Sequence, residues 1–301
     1  MSGPAVIDPS EVASAAEKLA AANGNRLTPF VLRTPQAKSA RCPWHLVGLA
    51  RSGRAERAAV AWTVADAIMK ERSGHTKAYD LWRTAAISGS KLTGEDARRV
   101  IPFVQPVFGL PPDGNSAKDH VPGFVGEWLW YLATREEHIE GHEIALLDPP
   151  SWNVTEGGGD GFVVHRTSGG SDTVLMFRLW EIKKFTGAGS INNTITRAAT
   201  QIAARSEEYL AKISWANKDK PDDLGLLMGE LTELWMRADR RAGAGVSVAT
   251  DTSSAPTTAF AQVSDHLPRL DRPGQLRGLI MAVDDFTAFA AQVRGYVWSA
   301  L

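Results

Sequence analysis

Cysteine is almost absent from this chain of 301 residues, with Cys42 standing alone. That excludes an intramolecular disulfide and a zinc site built from cysteines. It also suits a reducing, cytoplasmic setting. Long apolar runs are missing as well: no stretch approaches the ~20 residues that span a bilayer. The first residues lack a basic segment followed by an apolar core, so no signal peptide and no membrane partner are expected. An excess of one charge is lacking too. Lys and Arg number 33 against 34 Asp and Glu, a formal net charge of −1. Any surface for a polyanion must therefore be local. No internal repeat is evident. The glycines Gly157, Gly158 and Gly159 are not followed by Gly-Lys-Ser/Thr, which excludes a phosphate-cradling P-loop. His138 and His142 are four apart, but the stretch reads His-Ile-Glu-Gly-His rather than His-Glu-x-x-His. Gly141 further weakens a helix there, so a helix end facing water is expected.

What remains is an ordinary globular composition, 44% hydrophobic and 22% charged. It suits one large domain, or a core domain with a helical extension. The most informative stretch is residues 157–184, GGGDGFVVHRTSGGSDTVLMFRLWEIKK. Two β-rich runs flank a Gly/Ser turn, which predicts a hairpin. With the loop at residues 168–173, Thr167 pairs with Val174, and counting back sets Asp160 opposite Glu181. Alternation puts Glu181 and Lys183 on the face of Leu175, Phe177 and Leu179. Met176, Trp180 and Ile182 fall on the other face, so the strand is apolar on both sides. Two opposed carboxylates at its end repel each other and need a cation or a shared proton. A divalent metal between Asp160 and Glu181, with Lys183 beside it, meets that need.

An Asp at the start of one strand and a Glu-x-Lys at the end of the next resemble the PD-(D/E)XK nuclease superfamily, with its restriction-endonuclease-like fold. The resemblance implies that Asp160, Glu181 and the Ile182 carbonyl hold Mg²⁺, with Mn²⁺ as a substitute. It implies that Lys183 orients or activates the attacking water. Glu127, at the edge of an apolar stripe on the preceding helix, matches an acid that can join the metal site. Gln201 lies where some members carry a glutamine. The fuller Gln-x-x-x-Tyr pattern is absent, since Arg205 takes the tyrosine place and Tyr209 follows one turn later. Lys184, Arg197 and Arg205 are candidates for phosphate contacts, which position nucleic acid without reading its sequence. DNA is the implied substrate and bacterial restriction or anti-phage defence the implied setting. A helicase or sensor protein is the implied partner, and an oligomer is compatible. The rival readings are a non-catalytic nucleic-acid-binding or scaffolding subunit, a helical interaction protein, and a hydrolase using His138 and His142.

The expected fold is α/β, a mixed sheet flanked by helices, with residues 1–110 as a helical N-terminal region and residues 123–301 as the nuclease-like domain. Helices are expected over 10–24, 44–73 with a break near Gly53, 79–87, 94–100, 123–137, 192–216, 224–240 and 284–298. Residues 26–43 are expected to be irregular and 101–122 to form a Pro/Gly-rich boundary. Strands are expected at 144–147, 245–250 and 276–283, with short ones at 104–108 and 260–263.

Overall fold

A computed structural model describes residues 9–36, 41–49, 53–111, 120–152, 159–169, 172–187 and 189–301. Gly157, Gly158, Pro112 and the hairpin tip at 170–171 lie outside the described residues. In chain order the elements are α1 (Pro9–Ala22), β1 (Val31–Gln36), β2 (Trp44–Leu49), α2 (Arg54–Ser73), α3 (Lys77–Ser88), α4 (Gly94–Phe108) and α5 (Val121–Arg135). Then come β3 (His142–Leu147), β4 (Gly161–Gly169), β5 (Asp172–Phe185), α6 (Ile191–Ala216), α7 (Asp222–Met236), β6 (Ala242–Thr250), α8 (Val263–His266), β7 (Leu276–Ala282) and α9 (Phe286–Trp298). No helix among the described residues is long and apolar enough to cross a membrane.

The seven strands form one mixed sheet in the order β1-β2-β7-β6-β5-β4-β3. The centre is parallel, β2 with β7, β7 with β6, and β6 with β5. Both flanks are antiparallel. A parallel centre must be covered on both faces, and two apolar layers cover it. One joins α1 to α5 and α9 to the face bearing Val163, Trp180, Ile182 and Met281. The other joins α6 and α7 to the face bearing Phe177, Leu179, Val246 and Ile280. The ten tryptophans go largely into this packing: Trp62 stacks on Trp82 at 5.6 Å, and Trp130 meets Trp180 at 5.7 Å.

Several local expectations are corrected. Residues 26–43 contain a strand, β1, and residues 44–49 form strand β2 rather than helix. β1 carries Pro35 and pairs only with β2; a proline's missing N–H is tolerated at such an edge. In β2 the apolar residues Trp44, Leu46, Val47 and Leu49 fit helical spacing as well as extended chain, and pairing with β7 decides between them. Residues 104–108 are not a strand, because α4 runs to Phe108 through Pro102 and Pro106. Its buried Val100, Val104, Val107 and Phe108 lie three and four apart, and the packing they gain outweighs the lost backbone bonds. At 260–263 a turn with Phe260 at φ +64° leads into α8, where a short strand was expected.

Candidate active site

The β4–β5 hairpin has the predicted register. Thr167 pairs with Val174 and Gly161 with Trp180, which sets Asp160, just before β4, across from Glu181. Asp160 accepts the Ile182 backbone N–H through Oδ2 at 2.8 Å. That bond ties the loop carrying Asp160 to the strand carrying Glu-x-Lys. The Lys183 ammonium donates to the same oxygen at 3.3 Å and also contacts Glu181 Oε1. One ammonium therefore bridges the two opposed carboxylates.

Glu181 is the unusual member. Its side chain is 0% exposed. Its second oxygen, Oε2, is buried without a hydrogen-bond partner among the described residues. Burial first, and then the like charge of Asp160, push its carboxyl up to about 8 despite the adjoining ammonium. Burial alone would pull the Lys183 ammonium down, but Asp160 and Glu181 outweigh it and the net direction is upward. An orphaned oxygen in a buried site is costly, so this arrangement lacks one cationic or donating partner.

Glu127 joins the group from α5. The helix is seated by aromatic packing: a Cβ on Gly161 would lie 2.4 Å from the Trp130 ring, and one on Gly126 would lie 2.9 Å from Ala249. Only a bare backbone lets α5 come this close. Glu127 sits three residues before Trp130, on the same side of the helix, and so is carried toward the sheet end. Burial, then Asp160, raises its carboxyl well above the usual range; Lys183 opposes this and Glu181 adds to it. Its side chain keeps some contact with solvent.

The other expected contributors are more dispersed. Arg197, Gln201 and Arg205 follow one another at four-residue intervals along α6, which packs on the face of β5 that carries Leu179. Gln201 donates to the Tyr209 hydroxyl at 3.1 Å. Tyr209, two turns after Gln201 on the same helix, thus meets the glutamine. Arg205 pairs with Glu208 at 3.1 Å and lies 4.9 Å over the Tyr209 ring. Arg197 is exposed. Lys184 alternates to the face opposite Lys183 and neighbours Ala249 of β6. The Ile182 N–H is spent on Asp160, while the ladder with β6 holds its backbone.

His138 and His142 share no helix: α5 ends at Arg135, and His142 opens β3. The four-residue spacing therefore does not align their rings. His142 instead meets His165, with ring centroids 6.1 Å apart. Sequence reasoning also missed a cationic cluster at the far end of the sheet, around Arg178 and Arg277; its members are dispersed over several strands and carry no motif. No group of three or more His, Cys, Asp or Glu side chains among the described residues is arranged to hold a metal ion. At the acidic cluster the bridging ammonium takes the central place. No protein-family model matches the chain, and no curated protein matches it significantly in sequence.

Proposed function

We propose that this protein is a divalent-metal-dependent phosphodiesterase of the PD-(D/E)XK type acting on DNA. The observation that carries the reading is the meeting of Asp160, Glu181 and Lys183 around the buried, unpaired Glu181 Oε2. The succession α5, β3, β4, β5, α6, α7, β6 also supports it: an antiparallel meander with β6 added parallel to β5. A helix, a hairpin, a helix and then further strands is the order that the resemblance implies.

The donors match a hard cation in chemistry, with the Lys183 ammonium now in the central place. Asp160, Glu181, Glu127 and the Ile182 carbonyl all offer oxygen, which suits Mg²⁺ or Mn²⁺. Bound there, the metal supplies charge neutralisation at the phosphoryl oxygens and acidifies a water. The chain's own residues do the rest. Glu181 and Glu127 hold protons more tightly than ordinary carboxyls, protons that they would have to give up to serve as ligands. Lys183, held against both carboxylates, would turn from them to substrate and water. It directs the nucleophile and donates to the developing anion. Arg197, Gln201, Arg205 and Lys184 position the phosphates of the duplex.

A second reading is a non-catalytic nucleic-acid-binding or scaffolding subunit. It is favoured by the same ammonium bridge, which gives Asp160 and Glu181 a shared cationic partner without any metal. Two measurements separate the readings. Supercoiled plasmid incubated with Mg²⁺ or Mn²⁺ is expected to be nicked by the wild type, and about 100-fold or more slowly by Lys183→Ala. Titration calorimetry with Mn²⁺ is expected to show one site that Asp160→Ala removes. Mn²⁺ affinity unchanged in Asp160→Ala would end the nuclease assignment, even if cutting awaits a helicase or sensor partner.

A further inference from the structure

A second polar cluster occupies the opposite end of the sheet. There a cavity of about 280 Å³ opens between the leading ends of β6 and β7 and the strands β3 to β5. Arg178, Arg241, Arg277, His142 and His165 line it, and no carboxylate of the described residues does. Arg178 lies five residues before Lys183 on β5, roughly 16 Å at ~3.3 Å per residue. The two also alternate to opposite faces, so the cavity is separate from the acidic cluster.

Carboxylates outside the cavity partly compensate two of the guanidinium groups. Arg277 reaches Glu137 at 3.3 Å, and Glu137 also serves Arg33. Arg241 reaches Asp239 and Glu230, each at 3.3 Å. Arg178 has no carboxylate partner among the described residues. It donates through Nη2 to the Gly274 carbonyl at 2.6 Å, and its Nε is buried and unpaired. Gly243 makes room for it, since a Cβ there would stand 3.4 Å from that Nε and 2.8 Å from the Gln275 carbonyl. The surrounding titrations agree on a positive potential. Burial, then Arg277, pull Arg178 down to about 9. Burial, then Arg178, pull His165 down to about 4. His142 is lowered by burial, Arg277 and Arg178. A partly desolvated guanidinium without a carboxylate partner, as at Arg178, is costly, and planar guanidinium forks match phosphate oxygens.

We propose that this cavity binds a phosphate-bearing small molecule, with the phosphate held among Arg178, Arg241 and Arg277. An adjoining cavity of about 560 Å³ shares Ile139 and Arg277 with the first; Arg33 and His45 line it, and so do the carboxylates Glu136, Glu137 and Glu140, which leaves the anion's place in the first cavity. It has room for the organic remainder of a phosphate ester. The proposal does not depend on the nuclease reading.

The test titrates the full chain, at constant ionic strength, with inorganic phosphate, pyrophosphate, adenosine 5′-monophosphate and citrate. The imidazole NMR signals of His142 and His165 are followed alongside calorimetry. Saturable binding of at least one phosphate compound is expected, with both imidazole signals moving. Tighter binding of the nucleotide than of free phosphate identifies an ester, and the reverse identifies the bare anion. Arg178→Gln and Arg241→Gln are each expected to weaken binding about tenfold or more, while Asp160→Asn leaves it unchanged. Should Arg178→Gln fail to fold, Arg241→Gln and the wild-type imidazole signals decide. Citrate binding as tightly as the phosphates, unmoved histidine signals, unchanged affinity in the folded variants, or displacement only by duplex DNA would each overturn the assignment.

Discussion

At the residue scale the molecule turns on Glu181. Burial and the neighbouring Asp160 lift its carboxyl from an ordinary 4.5 to about 8. An acid whose folded value is raised contributes fully below its unfolded value, and that contribution drains away as pH climbs through the folded value. The native state should thus lose stability between about pH 4.5 and 8. His165 acts in the opposite sense: lowered to about 4, it favours the native state as pH rises to its ordinary 6.5. The clean window is therefore pH 6.5 to 8. Across it, in EDTA, urea unfolding should show the wild type weakening relative to Glu181→Gln. The difference should reach a few kcal/mol at most, since a tenfold change in proton affinity corresponds to ~1.4 kcal/mol. Parallel stability curves would mean that Glu181 titrates like a solvated glutamate. Glu127, also raised, feels the Glu181 charge, so the comparison reports the two coupled carboxyls together.

At the element scale, α5 and the β4–β5 hairpin form the working unit, and glycines set their spacing. A methyl on Gly161 would meet three Trp130 ring atoms at 2.4, 2.5 and 2.9 Å, and Trp130 is fully buried. Gly161→Ala should therefore cost about 1–3 kcal/mol by overpacking. It should also impair any function of Glu127, which rides on the same helix. Gly123→Ala is the matched control: no atom of the described residues lies within 4 Å of its added methyl, and alanine favours helix. Calorimetric melting should show the first variant lowered and the second level with or above the wild type. Equal melting temperatures would mean that α5 shifts without cost.

The hairpin is legible in the sequence because its signals are local: a Gly/Ser turn fixes Thr167 against Val174, and alternation then places Asp160, Glu181 and Lys183. The burial of Glu181 and the meeting with Glu127 are less legible, since they depend on how α5 docks. β2 reads as helix because four apolar residues in six suit either period, and only its partner β7 settles the question. α4 reads as a shorter helix because Pro102 and Pro106 look like stops. Their local cost is offset by four buried side chains that pack against the rest of the core. These departures share one cause: in each, a distant partner overrides a local preference.

At the scale of the whole molecule, the N-terminal third is woven into the sheet it precedes. β1 and β2 extend that sheet beside β7. The side chains of α2 to α4, among them Trp62, Trp82, Val104 and Phe108, share one apolar cluster with Trp128, Phe289 and Val293. The Trp82 indole donates to the Val297 carbonyl of α9 at 3.0 Å, and Leu92 donates its N–H to Ala300. Removing residues 1–119 would strip one face of α5 and α9 and leave β7 as an unpaired, apolar edge. Such an edge is a template for aggregation, and the exposed face exceeds what a soluble monomer tolerates. The fragment 120–301 should therefore fail to unfold cooperatively and should bind a hydrophobic dye, even though it holds Asp160, Glu181, Lys183 and Glu127 entire. Cooperative melting of that fragment near the temperature of the full chain would show the opposite, that residues 1–119 are a cover added to a core able to stand without them. Restoring the missing segment in trans separates the two outcomes. If the layers form one folding unit, co-expressed residues 1–119 should return the fragment to solution as a 1:1 complex.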